Sequence, residues 1–175
     1  MALTVPAHAE RSLQMPVSRA RAWELLLDIP LWAALFPRVD AVVEMEAPAA
    51  DLADGEMDLG AWRWTMEPMG PPGLEMRTEY GCAYTAHPPA KGDDAYRLVW
   101  TPVDGVGNAR FGGAAFLVET GAGVCELTLT IDAELTIPAP RLLRGVVETA
   151  VAFEFRRTLD TFLERVAAQL ASDAG

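Results

Sequence analysis

The chain contains few of the residues that build metal centres or disulfide frameworks. It has only two cysteines, Cys82 and Cys125, and two histidines, His8 and His87, all well separated in sequence. No CxxC or HExxH spacing occurs, so the sequence predicts neither a structural zinc site nor a metalloprotease. Because the two cysteines are isolated from each other, we expect buried thiols of a cytosolic protein rather than a disulfide.

Basic charge and long apolar runs are also scarce. There are 14 Lys and Arg against 25 Asp and Glu, which gives a net charge of −11. That balance opposes binding to nucleic acid and docking on anionic membranes, both of which depend on basic residues. No run of 18 consecutive apolar residues is present, so we expect no membrane insertion. Residues 1–6 show no basic stretch before an apolar run, so we expect no signal peptide and a cytoplasmic location.

Motifs for catalysis and cofactor binding are missing as well. GxSxG and the P-loop do not occur, and the glycine pairs at Gly105 and Gly121 lack the third glycine and the helix of a dinucleotide site. We interpret both glycine pairs as turns. The sequence therefore predicts no cofactor and no metal. The missing motifs favour a protein without catalytic activity, but an enzyme is kept as an alternative.

What the chain does have is one long amphipathic segment at its C-terminal end. Pro140 suits the first turn of a helix, and no proline follows it up to Leu170. Apolar residues then recur every three or four positions, which predicts a helix over 141–170: Leu143, Val147, Val151, Phe155, Leu159, Phe162, Val166 and Leu170. A second row widens the apolar face in the first half: Val146, Ala150 and Phe153.

The apolar face rotates by about a third of a turn along this helix, so its two halves should pack against different surfaces. Glu154 lies where the face changes. It is either a carboxylate buried in a cavity with a raised pKa, or a solvated glutamate paired with Arg157 or Thr158.

Upstream, apolar residues alternate with polar ones, which predicts strands over 7–15, 39–46, 56–67, 74–86, 96–101, 110–119 and 124–137. Two short helices are predicted over 19–27, with Ser18 as N-cap, and over 31–36. Loops are predicted over 47–55, 68–73 and 87–94. Hairpin connections imply an antiparallel sheet with one polar face, and the last helix is the only element long enough to cover the other face.

This order resembles the helix-grip fold of the START-like, polyketide cyclase and birch-pollen-allergen superfamily. The resemblance rests on Glu10-Arg11-Ser12 running into Pro16 to Leu26, on Ile29 to Trp32 before Phe36-Pro37, on the hairpin at 121–126 and on the closing helix. It implies one domain over 1–175, of the α+β class. A curved antiparallel sheet of six to seven strands would wrap around the long C-terminal helix, with two short helices after the first strand.

The resemblance further implies an apolar cavity between the sheet and the last helix. Aromatic and methionine side chains on the strands either line such a cavity or fill the core. Arg110 either orients a ligand oxygen at the cavity mouth or forms a rim salt bridge. The cavity lining that we predict is Trp62, Trp64, Met76, Tyr80, Tyr84, Trp100, Arg110, Val147, Val151 and Glu154.

Three functions are consistent with these features. The first is binding of a small hydrophobic ligand, such as the lipids, quinones or polyketides that members of the superfamily bind. The second is a polyketide cyclase or dehydratase, for which Glu154, Tyr84 and Arg110 are the candidate polar groups. The third is a protein-interaction or chaperone-linked role through the acidic loop over 47–58. A homodimer is also possible.

Overall fold

The computed structural model describes residues 2–47, 51–69, 75–89 and 94–172, which form one sheet, two short helices and one long helix. The strands are β1 (Leu3–Met15), β2 (Val39–Met45), β3 (Met57–Met66), β4 (Glu79–His87), β5 (Tyr96–Pro102), β6 (Ala109–Gly121) and β7 (Val124–Ile137). The helices are α1 (Arg19–Leu27), α2 (Ile29–Leu35) and α3 (Arg144–Ser172). Parts of the three predicted loops, 48–50, 70–73 and 90–93, and Leu74 of the predicted fourth strand lie outside the described residues.

The seven strands form a single curved antiparallel sheet in the order β1-β7-β6-β5-β4-β3-β2. The predicted helix-grip architecture is therefore confirmed. The first strand and the last are neighbours, paired from Leu3 opposite Ile137 to Met15 opposite Cys125. Strand β7 has the predicted bounds, and its alternate residues are buried over most of its length. Strand β1 begins earlier than predicted because it lies at the sheet edge, where Pro6 is tolerated without a donated hydrogen bond.

Side chains at the helix ends hold α1 and α2 in place. Ser18 is the N-cap of α1, as predicted, and its hydroxyl accepts a hydrogen bond from the Arg21 N–H at 3.3 Å. Asp28 separates the two helices, and its carboxylate accepts from the Leu31 N–H at 3.0 Å. These caps satisfy N–H groups that have no partner inside a helix, and they direct the end of α2 towards the sheet.

The fourth strand, predicted over 74–86, begins only at Glu79 in the structure. The Asn108 side chain hydrogen-bonds the backbone groups that would otherwise pair at the start of the predicted strand. Asn108 accepts from the Glu79 N–H at 2.9 Å and donates to the Arg77 carbonyl at 3.0 Å. Before this point Met76 pairs with Met69 in an isolated bridge. Regular pairing with β3 starts at Glu79.

The core lies between the sheet and the second half of α3. Leu159, Phe162, Leu163, Val166 and Leu170 are buried there, as the helix periodicity predicted for four of them. The first half differs from the prediction: it begins with a 3-10 turn over Arg141–Leu143, and its second apolar row is not covered. Val146 is 70% exposed and Phe153 is 59% exposed. Both cysteines are buried free thiols, as predicted.

Candidate ligand-binding cavity

A small apolar cavity lies where the middle of α3 passes over one end of the sheet. Its volume is about 90 Å³. Residues from the α2–β2 junction, from the ends of four strands and from α3 meet around it. Among the described residues, its lining is Phe36, Pro37, Arg38, Met66, Glu67, Met69, Thr78, Tyr80, Phe111, Leu135, Val151, Glu154, Phe155 and Thr158.

Helix α3 contributes one stripe of its surface to this cavity. Val151, Glu154, Phe155 and Thr158 follow one another at helical spacing, so they share a face of the helix. Val151 and Phe155 are partly buried against the core, and Glu154 stands beside them at the rim. This stripe is where α3 passes from its half-exposed first part to its buried second part.

Aromatic rings form much of the wall. The Tyr80 and Phe111 rings are 4.1 Å apart between centroids, and Phe155 lies 5.9 Å from Phe111. Behind them, Trp64 stacks on Tyr80 with nearly parallel planes at 6.0 Å. Rings in such contacts form a firm apolar surface, which is suited to a flat or aliphatic group.

Tyr80 is the most deeply buried polar group of the lining. Burial raises the pKa of its hydroxyl well above the usual value, and the neighbouring Cys82 thiol adds to the shift. The hydroxyl is therefore protonated at neutral pH and can donate a hydrogen bond into the cavity. It cannot act as a base there unless a bound molecule changes its surroundings.

The charged residues of the described lining stand at the rim of the cavity. Glu154 is about one-third exposed, and its carboxylate lies 3.7 Å from the Arg157 guanidinium, which is largely exposed. On the opposite side Arg38 donates from Nη2 to the Pro68 carbonyl at 3.1 Å, and its Nε lies 3.8 Å from the Glu67 carboxylate. The cavity thus has an apolar interior and a mouth with both signs of charge.

Three of the ten predicted lining residues, Tyr80, Val151 and Glu154, line this cavity. Trp64, Tyr84 and Trp100 face the same side of the sheet but are buried in the core, where they pack against other aromatic rings. Trp62 is partly buried away from the cavity, and its indole N–H donates to the Leu59 carbonyl at 2.9 Å.

The remaining three predicted residues lie elsewhere. Met76 is half-buried opposite Met69, next to the cavity rather than in its described lining. Val147 packs against Leu3, Val5 and Ala139, at the β1 side of α3. Arg110 is on the outer face of the sheet, where it forms a salt bridge with Asp104, so it lies at neither the mouth nor the rim of this cavity.

The lining residues that the sequence analysis missed fall into two groups. Phe155 and Thr158 follow Val151 and Glu154 at helical spacing, so extending that stripe would have found them. The other missed residues come from different elements whose meeting depends on the curvature of the sheet: Phe36, Pro37, Arg38, Met66, Glu67, Met69, Thr78, Phe111 and Leu135. For Arg38 the local signal is weak, because nothing in the residues around it marks a charged group facing a cavity.

Two wider depressions, of about 780 and 760 Å³, lie on the outer face of the sheet. They adjoin at Thr101 and Pro102, and their rims carry charged residues such as Asp104, Asp132 and Glu134. They are open hollows, so an apolar molecule resting there would keep much of its surface in water. The smaller cavity under α3 is therefore the better candidate for an apolar ligand.

Within the described ranges, no three His, Cys, Asp or Glu side chains are grouped so that they could hold a metal ion. Two buried indole N–H groups, those of Trp32 and Trp64, have no hydrogen-bond partner among the residues that the structure describes. The Tyr84 hydroxyl is near enough to Trp64 to interact with it, although the geometry falls short of a hydrogen bond. None of the helices in the described part of the chain is long and apolar enough to span a membrane.

No protein-family model and no curated protein matches the sequence. Solved structures do match over nearly the whole chain. The Zhui aromatase/cyclase from a Streptomyces species has a TM-score of 0.67 at 16% identity, covering 97% of this chain and 96% of that chain. A STAR-related lipid transfer protein from Xanthomonas axonopodis has a TM-score of 0.61 at 17% identity, covering 94% and 85%.

A START superfamily protein from Mycobacterium smegmatis is similar to the same degree, with a TM-score of 0.62 at 13% identity, covering 94% of this chain and 97% of that chain. Identities this low establish the fold and not the activity. The chain has the helix-grip fold of START-like and polyketide-cyclase proteins, and the resemblance noted in the sequence is confirmed at that level.

Proposed function

We propose that the protein binds a small hydrophobic molecule, of the lipid, quinone or polyketide type, in the cavity between the sheet and α3. The observation that carries this proposal is an aromatic-walled cavity at whose mouth the charged groups of the described lining stand. Ligand pockets commonly combine an apolar wall with a few polar groups that fix orientation. The structural neighbours include a lipid transfer protein and an aromatase/cyclase, which supports this class of ligand.

The cavity must enlarge to hold such a molecule. Its 90 Å³ is well below the roughly 300–1,000 Å³ of most ligand pockets. The first half of α3 is the element best placed to move, because Val146 is 70% exposed and Phe153 is 59% exposed, so little apolar surface would be lost. In this proposal, displacement of that half opens the cavity and its return encloses the ligand.

Native mass spectrometry of protein purified gently from its own host tests the proposal. A discrete added mass that is lost on denaturation is the expected result, and that mass gives the ligand class directly. A complementary measurement is the fluorescence of Nile red, a neutral apolar dye, titrated with the protein. A bare protein mass together with no saturable dye binding would overturn the proposal.

A cyclase-type reaction is a second candidate, because two proton-carrying side chains, Tyr80 and Glu154, line the same cavity. Of the three groups considered from sequence, Tyr84 is buried in the core and Arg110 lies on the outer face, so only Glu154 is retained. In such a reaction Glu154 would accept a proton while Tyr80 donates a hydrogen bond to a substrate carbonyl.

Tyr80→Phe and Glu154→Gln separate the two candidates. For a cyclase, each should lower turnover of a poly-β-ketone substrate by about a hundredfold while leaving its binding nearly unchanged. For a binding protein, no turnover is seen in the wild type. Both variants would then change affinity alone.

A further inference from the structure

Arg38 adopts a backbone conformation that an arginine rarely adopts. Its φ is +63°, and it is the one non-glycine residue with positive φ among those the structure describes. Side chains with a Cβ are strained in this left-handed region, where glycine and asparagine are preferred. Such strain is usually retained where the side chain is needed, so the outlier at the cavity mouth points to a role in binding.

The contacts of Arg38 explain how the strained backbone is held. Its carbonyl oxygen accepts from the Glu67 N–H at 2.8 Å, joining the end of α2 to the end of β3. Among the described residues, its guanidinium donates one hydrogen bond, to the Pro68 carbonyl, and stands 3.8 Å from the Glu67 carboxylate. A guanidinium has five N–H donors, so most of them remain for water or for another acceptor at this mouth.

We propose that Arg38 selects hydrophobic ligands that carry a carboxylate, holding that group at the mouth while the apolar part enters the cavity. This inference rests on the proposed function and adds the ligand's head-group chemistry. Arg38 is the one positively charged residue in the described lining. Charge-assisted hydrogen bonds from guanidinium to carboxylate are stronger than those between neutral groups, and their planar geometry is specific.

The two carboxylates at the mouth do not cancel this effect. Glu67 lies beside Arg38 and is 56% exposed, so it can turn into solvent when a ligand carboxylate takes its place. Glu154 has Arg157 as a partner, which reduces its repulsion of an anion. The net charge of −11 acts mainly over distances at which salt screens it, about 8 Å at physiological ionic strength.

Calorimetric titration with three probes of equal chain length tests the inference: dodecanoate and dodecyltrimethylammonium below their micelle concentrations, and dodecanol below its solubility limit. The wild type should bind dodecanoate about tenfold more tightly than dodecanol. Arg38→Asn keeps a residue that tolerates positive φ but removes the charge, so it should erase that difference without lowering the melting temperature. Arg38→Lys should retain part of the preference, and Arg63→Asn, an exposed arginine on β3, should retain all of it.

The outcomes separate this inference from the function on which it rests. Equal binding of dodecanoate and dodecanol to the wild type overturns the role of Arg38 and leaves the binding function intact. Tighter binding of the ammonium probe overturns it as well, and would mean that Glu67 and Glu154, rather than Arg38, select the ligand's head group. An Arg38→Asn variant that melts earlier and loses all probes equally gives Arg38 a purely structural role. If the wild type binds none of the three, the proposed function itself fails.

Discussion

Gly113 on β6 has no side chain, and this lets the Trp100 ring and the Thr130 backbone lie close against it. A Cβ at this position would overlap the carbonyl oxygen of Thr130 and stand 2.7 Å from Cζ2 of Trp100. Neither can move easily, because one is backbone and the other is a buried ring. We expect Gly113→Ala to lower the free energy of unfolding by about 3 kcal/mol, measured by urea denaturation.

The neighbouring Gly112 is a matched control. Its added Cβ would meet Cδ of Pro102 at 3.3 Å and the carbonyl oxygen of Trp100 at 3.7 Å, which is ordinary van der Waals contact. Gly112→Ala should therefore change stability by about 1 kcal/mol or less. Equal losses for the two variants would mean that the contacts with Thr130 and Trp100 are not what makes glycine necessary at Gly113.

Cys82 on β4 links stability to pH. Burial raises the pKa of its thiol from 9.0 to about 12, and the thiol donates to the Phe111 carbonyl at 3.2 Å. The folded state thus holds this proton more tightly than the unfolded chain does. The stabilisation is complete below pH 9 and is lost as the pH rises through about 12. Tyr80 and Tyr84, whose pKa values burial also raises, act in the same direction at higher pH.

Unfolding measured from pH 8 to 11 should show stability falling by about 1.4 kcal/mol per pH unit for each group that titrates in this way. Cys82→Ala removes one of these groups, so its slope above pH 9 should be shallower by about that amount. Parallel slopes for the wild type and Cys82→Ala would show that the thiol is not protected from ionisation in the folded state.

At the scale of the element, α3 is one helix with two different environments. The recurrence of apolar residues every three or four positions was enough to locate α3. That spacing does not tell which of its apolar rows the sheet will cover. Phe162 is fully buried, with its ring 5.2 Å from Trp32 and 5.1 Å from Phe36. Phe153, nine residues earlier, is 59% exposed. Which rows are covered depends on the three-dimensional path of the sheet, and a one-dimensional pattern cannot show that.

Alanine substitutions at Phe162 and Phe153 should differ strongly in their effect on stability, although both residues belong to α3. Phe162→Ala should cost about 3–5 kcal/mol, because it leaves a cavity between α3 and α2. Phe153→Ala should change stability by about 0.5 kcal/mol or less, since most of its ring is already in water. Thermal or urea unfolding of both variants measures the contrast. A large loss at Phe153 would show that the first half of α3 packs more tightly than its exposure indicates.

At the scale of the whole molecule, sequence reasoning predicted the order of strands and helices and much less of the cavity. The alternation of apolar and polar residues on β7 and the N-cap at Ser18 are local signals, and both could be recognised in the sequence. The cavity is formed where six separate segments meet, so no single stretch carries its signature. Trp64, Tyr84 and Trp100 were equally plausible as lining, but each packs against other aromatic rings and fills the interior. Arg38 reaches the cavity mouth with a backbone φ of +63°, which arginine rarely adopts, so its residue type gave no signal of this position.

The cavity can be closed without altering the rest of the fold. Val151 lies on its α3 side and is only partly buried, so Val151→Trp should place an indole in the space that a ligand needs. We expect this variant to lose saturable binding of Nile red while its melting temperature stays within a few degrees of the wild-type value. Val146→Trp is the control, because Val146 is on the exposed side of the same helix, and it should bind the dye normally.

The alternative is that Val151 belongs to a solid core with no ligand space. Val151→Trp would then overpack the helix–sheet contact and cost about 1–3 kcal/mol, with no dye binding to lose in the wild type. Unimpaired binding by a stably folded Val151→Trp variant would place the ligand outside the cavity under α3. The outer depressions at Thr101 and Pro102 would then be the next surface to test. The two tryptophan variants therefore locate the ligand relative to α3, whichever molecule it is.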